Sequence, residues 1–354
     1  MEQKLLAYME KKGIDGFFVA KKENVRYISG YTGDDSCLFI TKDHNYFLTD
    51  PRYTEQAGME CPNYEVHVWR VPNKTMGDSI QFLAEKNNLK HIAFESDVMN
   101  YDQYTDFSKK VSAELVSTCN VIEKMRSIKT PQEIGYLRAS CEIASRAFSR
   151  IIKDIRVGVT EKELAAKLSL YMVMEGADTQ PYGNILISGA RTSLLHGIPS
   201  EKAVEYGDFV LMDFGCQFHG YMSDMTRTVI VGKADAKQLE VYGLEKQMVE
   251  NSLLKMKAGA AVRDIYFESI KPIKDTEYLP YHYTGIGHGI GLFVHEMPFM
   301  GPTYDDILEA GNVRTIEPGI YIPNWGGVRI EDTILITEDG YENLTSSTHD
   351  LIEL

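Results

Sequence analysis

The stretch Gly207-Asp-Phe-Val-Leu-Met-Asp213-Phe-Gly215 returns later in the chain as Gly311-Asn-Val-Arg-Thr-Ile-Glu317-Pro-Gly319. Each copy sets one acid six positions after a glycine, behind a run of four residues that reads as a β-strand. Buried strands do not ordinarily hold carboxylates. Out of water an ionised carboxylate costs several kcal/mol, so each acid needs a cation, a proton or a set of donors. Three further marks flank both copies in the same order. A helix end followed by Gly158 and then Leu164 is matched by Gly259 and then Ile265. His196-Gly-Ile-Pro199 is matched by His295-Glu-Met-Pro298. Each half closes on acid-x-Thr, as Asp224-Met-Thr226 and Glu331-Asp-Thr333. Four marks in one order imply a duplication with a pseudo-twofold axis and a site on that axis.

Between Asp213 and Asp224 the segment Gly215 to Gly220 reads as a turn, so a hairpin brings both side chains to one place. Glu317 and Glu331 repeat this around Pro323-Asn-Trp-Gly-Gly327. A lone acid in a strand is most simply an ion pair, but four converging acids are stable only around cations of comparable charge. His288, in Gly285-Ile-Gly-His-Gly-Ile-Gly291, adds a neutral ligand from a glycine-rich strand that leaves no room for a packed core face. Four carboxylates and one imidazole suit two divalent cations, and the oxygen-rich set favours Mn²⁺, with Co²⁺ or Zn²⁺ as alternatives. Two such ions ~3.5–4 Å apart acidify a water and polarise a carbonyl, which is hydrolase chemistry.

Thr130-Pro-Gln-Glu133 combines a capping residue, a proline at the first helical position and a glutamate at the third. The helix it opens buries Ile134, Leu137, Cys141, Ala144, Phe148 and Ile151 on one face, and Gly158 is expected to stop it. Thr160-Glu-Lys-Glu163 opens a second helix, through about Glu175, that Gly176 ends. Upstream, Gly16–Ala20, Cys37–Thr41, Tyr46–Thr49, Tyr64–Trp69 and His91–Phe94 read as strands, with Lys42-Asp-His-Asn45 as a hairpin turn. Amphipathic stretches at Gln3–Lys12 and Met76–Asn87 cover them, giving an α/β domain without a catalytic cluster. The boundary falls near residues 122–128, which divides the chain into 1–124 and 125–354.

A length of 354 residues fits two domains of ~100–200 residues each. Lys+Arg 37 against Asp+Glu 51 leaves a net charge of −14, which repels nucleic acid and anionic lipid. Neither is expected as a partner. Cys37, Cys61, Cys119, Cys141 and Cys216 include no C-x-x-C pair, so they read as free buried thiols of a reducing cytosol. With no signal-like h-region and no run of ~20 apolar residues, a cytoplasmic location is expected. The glycosylation sequons at Asn73-Lys-Thr75 and Asn343-Leu-Thr345 would go unused there. Gly285–Gly291 lacks the pattern of a nucleotide loop, and His295-Glu296 lacks the second histidine of a zincin.

Leu211-Met-Asp-Phe-Gly215, Ser223-Asp-Met-Thr-Arg-Thr228, Gly287-His-Gly-Ile-Gly-Leu292 with Val294-His-Glu296, Thr315-Ile-Glu-Pro-Gly-Ile-Tyr321 and Val328-Arg-Ile-Glu-Asp-Thr333 form a highly specific set. On these motifs the chain resembles the pita-bread metallopeptidases, in their Xaa-Pro branch of aminopeptidase P and prolidase, over essentially its whole length. Asn24-Val-Arg-Tyr-Ile-Ser-Gly-Tyr-Thr-Gly33 and Thr49-Asp-Pro-Arg-Tyr-Thr-Glu-Gln-Ala57 resemble the creatinase/prolidase N-terminal domain. The resemblance implies an α/β (α+β) protein, a creatinase/prolidase-like N-terminal domain followed by a pseudo-twofold pita-bread catalytic domain. It implies that Asp213, Asp224 and Glu331 hold one metal, while Asp224, His288, Glu317 and Glu331 hold the other. A water shared by the ions would attack the carbonyl before proline, with Glu317 as proton shuttle. His196 and His295 would line the cleft and donate to the developing oxyanion. Tyr321 and Arg329 would support the ligands, although Arg329 could equally serve merely to neutralise Asp332 or another acid.

Two positions depart from the pattern. Thr284 stands where relatives carry another histidine, with His282 out of register, and Arg314 stands where an apolar residue is expected. The expected activity is an Xaa-Pro aminopeptidase releasing the N-terminal residue of peptides with proline second, as a homodimer. A prolidase restricted to Xaa-Pro dipeptides is the second choice. Methionine aminopeptidase fits less well, having no place for the extra N-terminal domain. From another class, a non-catalytic binding protein or a metal-free amidinohydrolase like creatinase would share the fold, but such relatives have lost ligand positions that are intact here.

Overall fold

Short apolar runs alternating with amphipathic ones build the first of two units, Met1–Arg126. The computed structural model describes residues 1–72, 74–180 and 182–354, so the sequon beginning at Asn73 lies outside the described residues. In chain order the elements are α1 (Glu2–Lys12), β1 (Gly16–Val19), α2 (Lys22–Ser29), β2 (Cys37–Thr41), β3 (Asn45–Thr49), α3 (Thr54–Glu60), β4 (Glu65–Val68), α4 (Met76–Lys86), β5 (His91–Glu95), α5 (Tyr101–Lys110), β6 (Glu114–Thr118) and α6 (Val121–Ser127). The sheet order is β4-β3-β2-β1-β5-β6, with β1 parallel to β5 and antiparallel to β2. Phe18, Phe39, Leu48, Ile80, Leu83, Phe94 and Phe107 pack the helices onto it. The turn between β2 and β3 closes through Thr41 N donating to His44 O at 3.0 Å.

The second unit, Ser127–Leu354, opens with α7 (Pro131–Ile151). Glu133 N donates to Thr130 Oγ1 at 3.3 Å while Thr130 N donates to Glu133 Oε2 at 2.7 Å, a complete capping box. Thr160 and Glu163 repeat the box for α8 (Glu161–Met174). Gly158 does not stop α7, which ends at Ile151. It is a loop residue with φ 90°, and its N donates to Val204 O at 2.9 Å. Its repeat partner Gly259, with φ 84°, does the same toward Leu308 O at 2.8 Å. The duplication therefore preserves a backbone corner, not a helix cap.

There follow β7 (Ile185–Ser188), β8 (Phe209–Phe214), β9 (Gln217–Phe218), β10 (Tyr221–Met222), β11 (Met225–Ile230), α9 (Ala236–Leu253), α10 (Val262–Ser269), β12 (Gly287–Gly289), β13 (Glu296–Met300), β14 (Val313–Ile316), β15 (Gly319–Ile322), β16 (Gly326–Arg329), β17 (Asp332–Ile336) and β18 (Tyr341–Asn343). The first half holds the sheet β11-β8-β7 and the second half β13-β12-β14-β17-β18. In each, the strand leading to the first acid pairs antiparallel with the strand after the second acid, β8 with β11 and β14 with β17. Each half has its own core: Ala144, Phe148, Leu164, Leu168, Met212 and Val229 in the first, Val249, Val262, Ile265, Ile316, Ile330 and Ile334 in the second. The run around His288 does pack a core face, contrary to the reading of its glycines, because Ile286 and Ile290 on either side of β12 are fully buried. All five cysteines are free, but Cys119 is exposed and Cys37 only partly buried. Among the described residues no helix is long and apolar enough to cross a membrane.

Candidate metal centre

The seam between the halves is where the acids meet. Asp213 lies on β8 opposite Thr226 of β11, and the small β9–β10 hairpin returns the chain to Asp224 just before that strand. Glu317 follows β14. The β15–β16 hairpin, with Gly319 opposite Arg329, then delivers Glu331 beside β17. Glu331 N donates to Thr226 O at 3.0 Å, which bridges the two sheets. The acid-x-Thr marks cross this seam reciprocally. Thr226 Oγ1 donates to Glu331 Oε2 at 2.7 Å, and Thr333 Oγ1 donates to the main-chain O of Asp224 at 2.8 Å.

His288 projects from β12. Its Nδ1 lies 2.9 Å from Gly289 O, which makes Nδ1 the N–H and turns Nε2 toward Glu317 Oε1 at 3.2 Å and Asp224 Oδ2 at 3.6 Å. Asp224, His288 and Glu331 each offer a ligand atom within 4.8 Å of the others, and all three are buried. Asp213 stands outside this group of three, bonded to Arg329 Nη2.

Burial, reinforced by the charge of Asp213, holds Asp224 well above the usual carboxylate range. Burial and then the charge of Asp224 do the same to Glu331. Burial also opposes ionisation of Glu317, yet the hydrogen bond and charge of His288, with the charge of Arg329 and the hydrogen bond from Thr315, together outweigh it and keep the carboxyl low. His288 in turn is lifted to about 9 by Glu317 against the effect of burial. Glu331 Oε1 is buried and has no hydrogen-bond partner among the described residues, an open acceptor inside the cluster. An oxygen-rich set with one imidazole and such an acceptor fits divalent cations.

Arg329 is buried behind the acids. It donates through Nη1 to Tyr321 Oη at 2.7 Å, through Nε to Thr226 Oγ1 at 3.0 Å and through Nη2 to Asp213. The acid it neutralises is thus Asp213 and not Asp332, which pairs with Arg227 Nη2 at 2.6 Å, Asn343 Nδ2 at 2.6 Å and His349 Nε2 at 2.5 Å. The Tyr321 phenol is pushed up to about 12, chiefly by burial, so it remains protonated. The His295 ring stands edge-on to His288 with centroids 4.5 Å apart. Partial burial, then the charge of His288, keeps its imidazole below the usual value and hence neutral at pH 7. His196 is exposed and near enough for its charge to act on His295. Thr284 is exposed, whereas His282 Nδ1 lies 3.2 Å from Gly319 O and braces the turn after Glu317. Buried Arg314 donates to Pro298 O at 2.6 Å and Asn312 Oδ1 at 3.1 Å, which explains a cation in place of an apolar side chain.

Three contributors were not singled out as site residues from the sequence. Tyr182 Oη donates to Asp224 Oδ1 at 2.7 Å and lies 3.1 Å from Ser223 O. Thr315 Oγ1 donates to Glu317 Oε1 at 3.2 Å and accepts from His288 N at 3.1 Å. Thr226 had a signal in the repeated acid-x-Thr mark. Thr315 sits only two residues before a ligand candidate, whereas nothing local marks Tyr182.

Comparison with known proteins gives the family. Residues 2–128 match the creatinase/prolidase N-terminal domain, and residues 135–338 match metallopeptidase family M24. The Xaa-Pro dipeptidase of Pyrococcus furiosus is 34% identical over 99% of this chain and 99% of its own. The solved Xaa-Pro dipeptidase from Bacillus anthracis superposes with a TM-score of 0.94 at 36% identity, covering 100% of this chain and 99% of its own. An X-Pro aminopeptidase from Thermotoga maritima does so with a TM-score of 0.93 at 31% identity, covering 100% and 99%. With the acids and the imidazole gathered on the seam of a duplicated fold, and with whole-chain likeness to pita-bread enzymes of the Xaa-Pro branch, this chain belongs to metallopeptidase family M24.

Proposed function

We propose that this protein hydrolyses the peptide bond before proline, with two divalent ions, Mn²⁺ as first choice, held by Asp213, Asp224, His288, Glu317 and Glu331. The observation that carries the reading is the buried convergence of Asp224, His288 and Glu331 beside Glu317, with one carboxylate oxygen unpartnered. When bound, such ions supply an acidified water and a Lewis acid for the carbonyl oxygen. The chain's own residues do the rest. Asp224 and Glu331 would be the ligands common to both ions, and Tyr182 and Thr226 each take up one of their oxygens. Glu317 receives the water's proton and passes it to the departing proline nitrogen. Neutral His295 donates to the carbonyl oxygen as it gains charge. His196 lines the cleft, and Arg329 with Tyr321 holds Asp213 in place.

Xaa-Pro dipeptides are the first substrate class, because relatives named as dipeptidases stand at 34% and 36% identity. The aminopeptidase reading, first on the sequence alone, becomes second, and the likeness to the Thermotoga maritima aminopeptidase supports it. The same reading places the protein in the cytoplasm as a homodimer, with residues 1–124 as the accessory domain and 125–354 as the catalytic one. The test is hydrolysis of Xaa-Pro against Xaa-Pro-Yaa after chelation and return of Mn²⁺. Cleavage of the dipeptide alone supports prolidase, and cleavage of both supports the aminopeptidase. Cleavage of neither, at any metal loading, overturns the proposal in favour of a non-catalytic or metal-free relative.

A further inference from the structure

Outside the acids the second unit contains another buried charge pair. Lys129 Nζ lies 3.0 Å from Glu296 Oε2, and the two side chains are 2% and 6% exposed. Glu296 is the residue after His295. Its other oxygen, Oε1, accepts from Phe293 N at 3.3 Å. The carboxylate lies so close to Gly291 that a Cβ there would come within 2.8 Å of both oxygens. Gly291 O in turn accepts from Met222 N at 2.8 Å. The carboxylate thus fills the inside of the loop joining β12, which carries His288, to β13, whose first residue follows His295.

Lys129 is equally well fixed. Its N donates to Gly311 O at 2.8 Å, and Ile128 forms an isolated bridge with Asn312, so the ammonium stands on backbone tied to the entrance of β14. The first half has nothing comparable, since Gly197 follows His196. Burying two charges is a poor way to gain stability, because desolvation consumes most of the attraction, but breaking the pair by moving either partner is costly. A loop that must hold one imidazole edge-on to another at 4.5 Å has use for such a constraint.

We propose that Lys129 and Glu296 are a positioning pair for His295, clamping the loop so that its ring stays aimed at the reacting carbonyl. The inference rests on the role given to His295 above. Its test is a double-mutant cycle in the Mn²⁺-loaded enzyme, reading kcat, KM and metal content for Glu296→Gln, His295→Ala and the combination. Glu296→Gln should lower kcat by ~10–100-fold, the scale of a misplaced catalytic group, with KM and metal content unchanged. In the His295→Ala background it should lower kcat no further. An equal loss in both backgrounds, or loss of metal with Glu296→Gln, overturns the inference and leaves the role of His295 standing. A His295→Ala enzyme with full kcat removes that role and the inference together. Should Glu296→Gln fail to fold, the neutral pair Lys129→Met/Glu296→Gln carries the same cycle with the same outcomes, since it removes both charges of the pair.

Discussion

Where the second half of the catalytic unit carries His288, the first half carries Ile187. Strand register makes the match: Ser188 lies opposite Val210, three residues before Asp213, and Gly289 lies opposite Arg314, three residues before Glu317. One residue earlier on each strand stand Ile187 and His288. Ile187 is fully buried, and its side chain lies close over Gly197, where a Cβ would approach it to 2.8 Å. His288 instead faces acids, and the matching loop is filled by the carboxylate of Glu296. Duplication thus supplied a scaffold and its acids twice, while the imidazole and the clamped loop belong to one half. Two ions in this centre would occupy unequal surroundings, one with oxygen ligands alone and one with a nitrogen.

The largest effect should separate the twins. His288→Ala should cost more activity than the ~10²–10³-fold of a lost oxyanion donor and should remove metal with it, measured by metal analysis and an Xaa-Pro assay. Ile187→Ala should retain metal stoichiometry and lower unfolding stability by about 2–5 kcal/mol, read from denaturant midpoints. Metal loss in both variants would break the asymmetry. Next comes the histidine pair of the His-x-x-Pro marks. His295→Ala should lower kcat by ~10²–10³-fold with metals retained, and exposed His196→Ala should lower it less; the reverse ranking would show the cleft to be organised from the first half.

A smaller effect is expected at Asp224. Tyr182→Phe removes its phenolic donor and should weaken metal affinity by ~10–100-fold in a metal titration, with activity returning at saturating metal. The smallest is at the crossed threonines. Thr333→Val strands the buried Asp224 carbonyl and should cost ~1–3 kcal/mol in thermal unfolding. Thr226→Val should add a metal-affinity loss, because its partner is a ligand carboxylate and not backbone.

The sequence made the carboxylates legible because strands rarely carry acids and because the corners at Gly207 and Gly311, with φ of 86° and 87°, sit at one fixed spacing from them. Helix starts at Thr130 and Thr160 were legible for a local reason, a capping box contained within four residues. In the first unit α2, α3, α5, α6 and β6 were not read. The amphipathic runs of α2 and α5 are short and rich in charge, and much of the helix stability comes from packing on the sheet. The partners of Tyr182 and Lys129 were invisible for a different reason. Glu296 lies 167 residues from Lys129, and no local periodicity records a pairing at that range.

The exchange of hydroxyl bonds across the seam has a consequence for how the centre comes into being. Since Thr226 serves an acid of the other half and Thr333 serves the backbone of the first, neither half alone holds the finished set of proposed ligands and their supports. Two separate chains of half the size would have to find each other, and their activity would fade on dilution. Joined in one polypeptide, the encounter is intramolecular at an effective concentration of order mM, so the centre forms as readily in a scarce protein as in an abundant one.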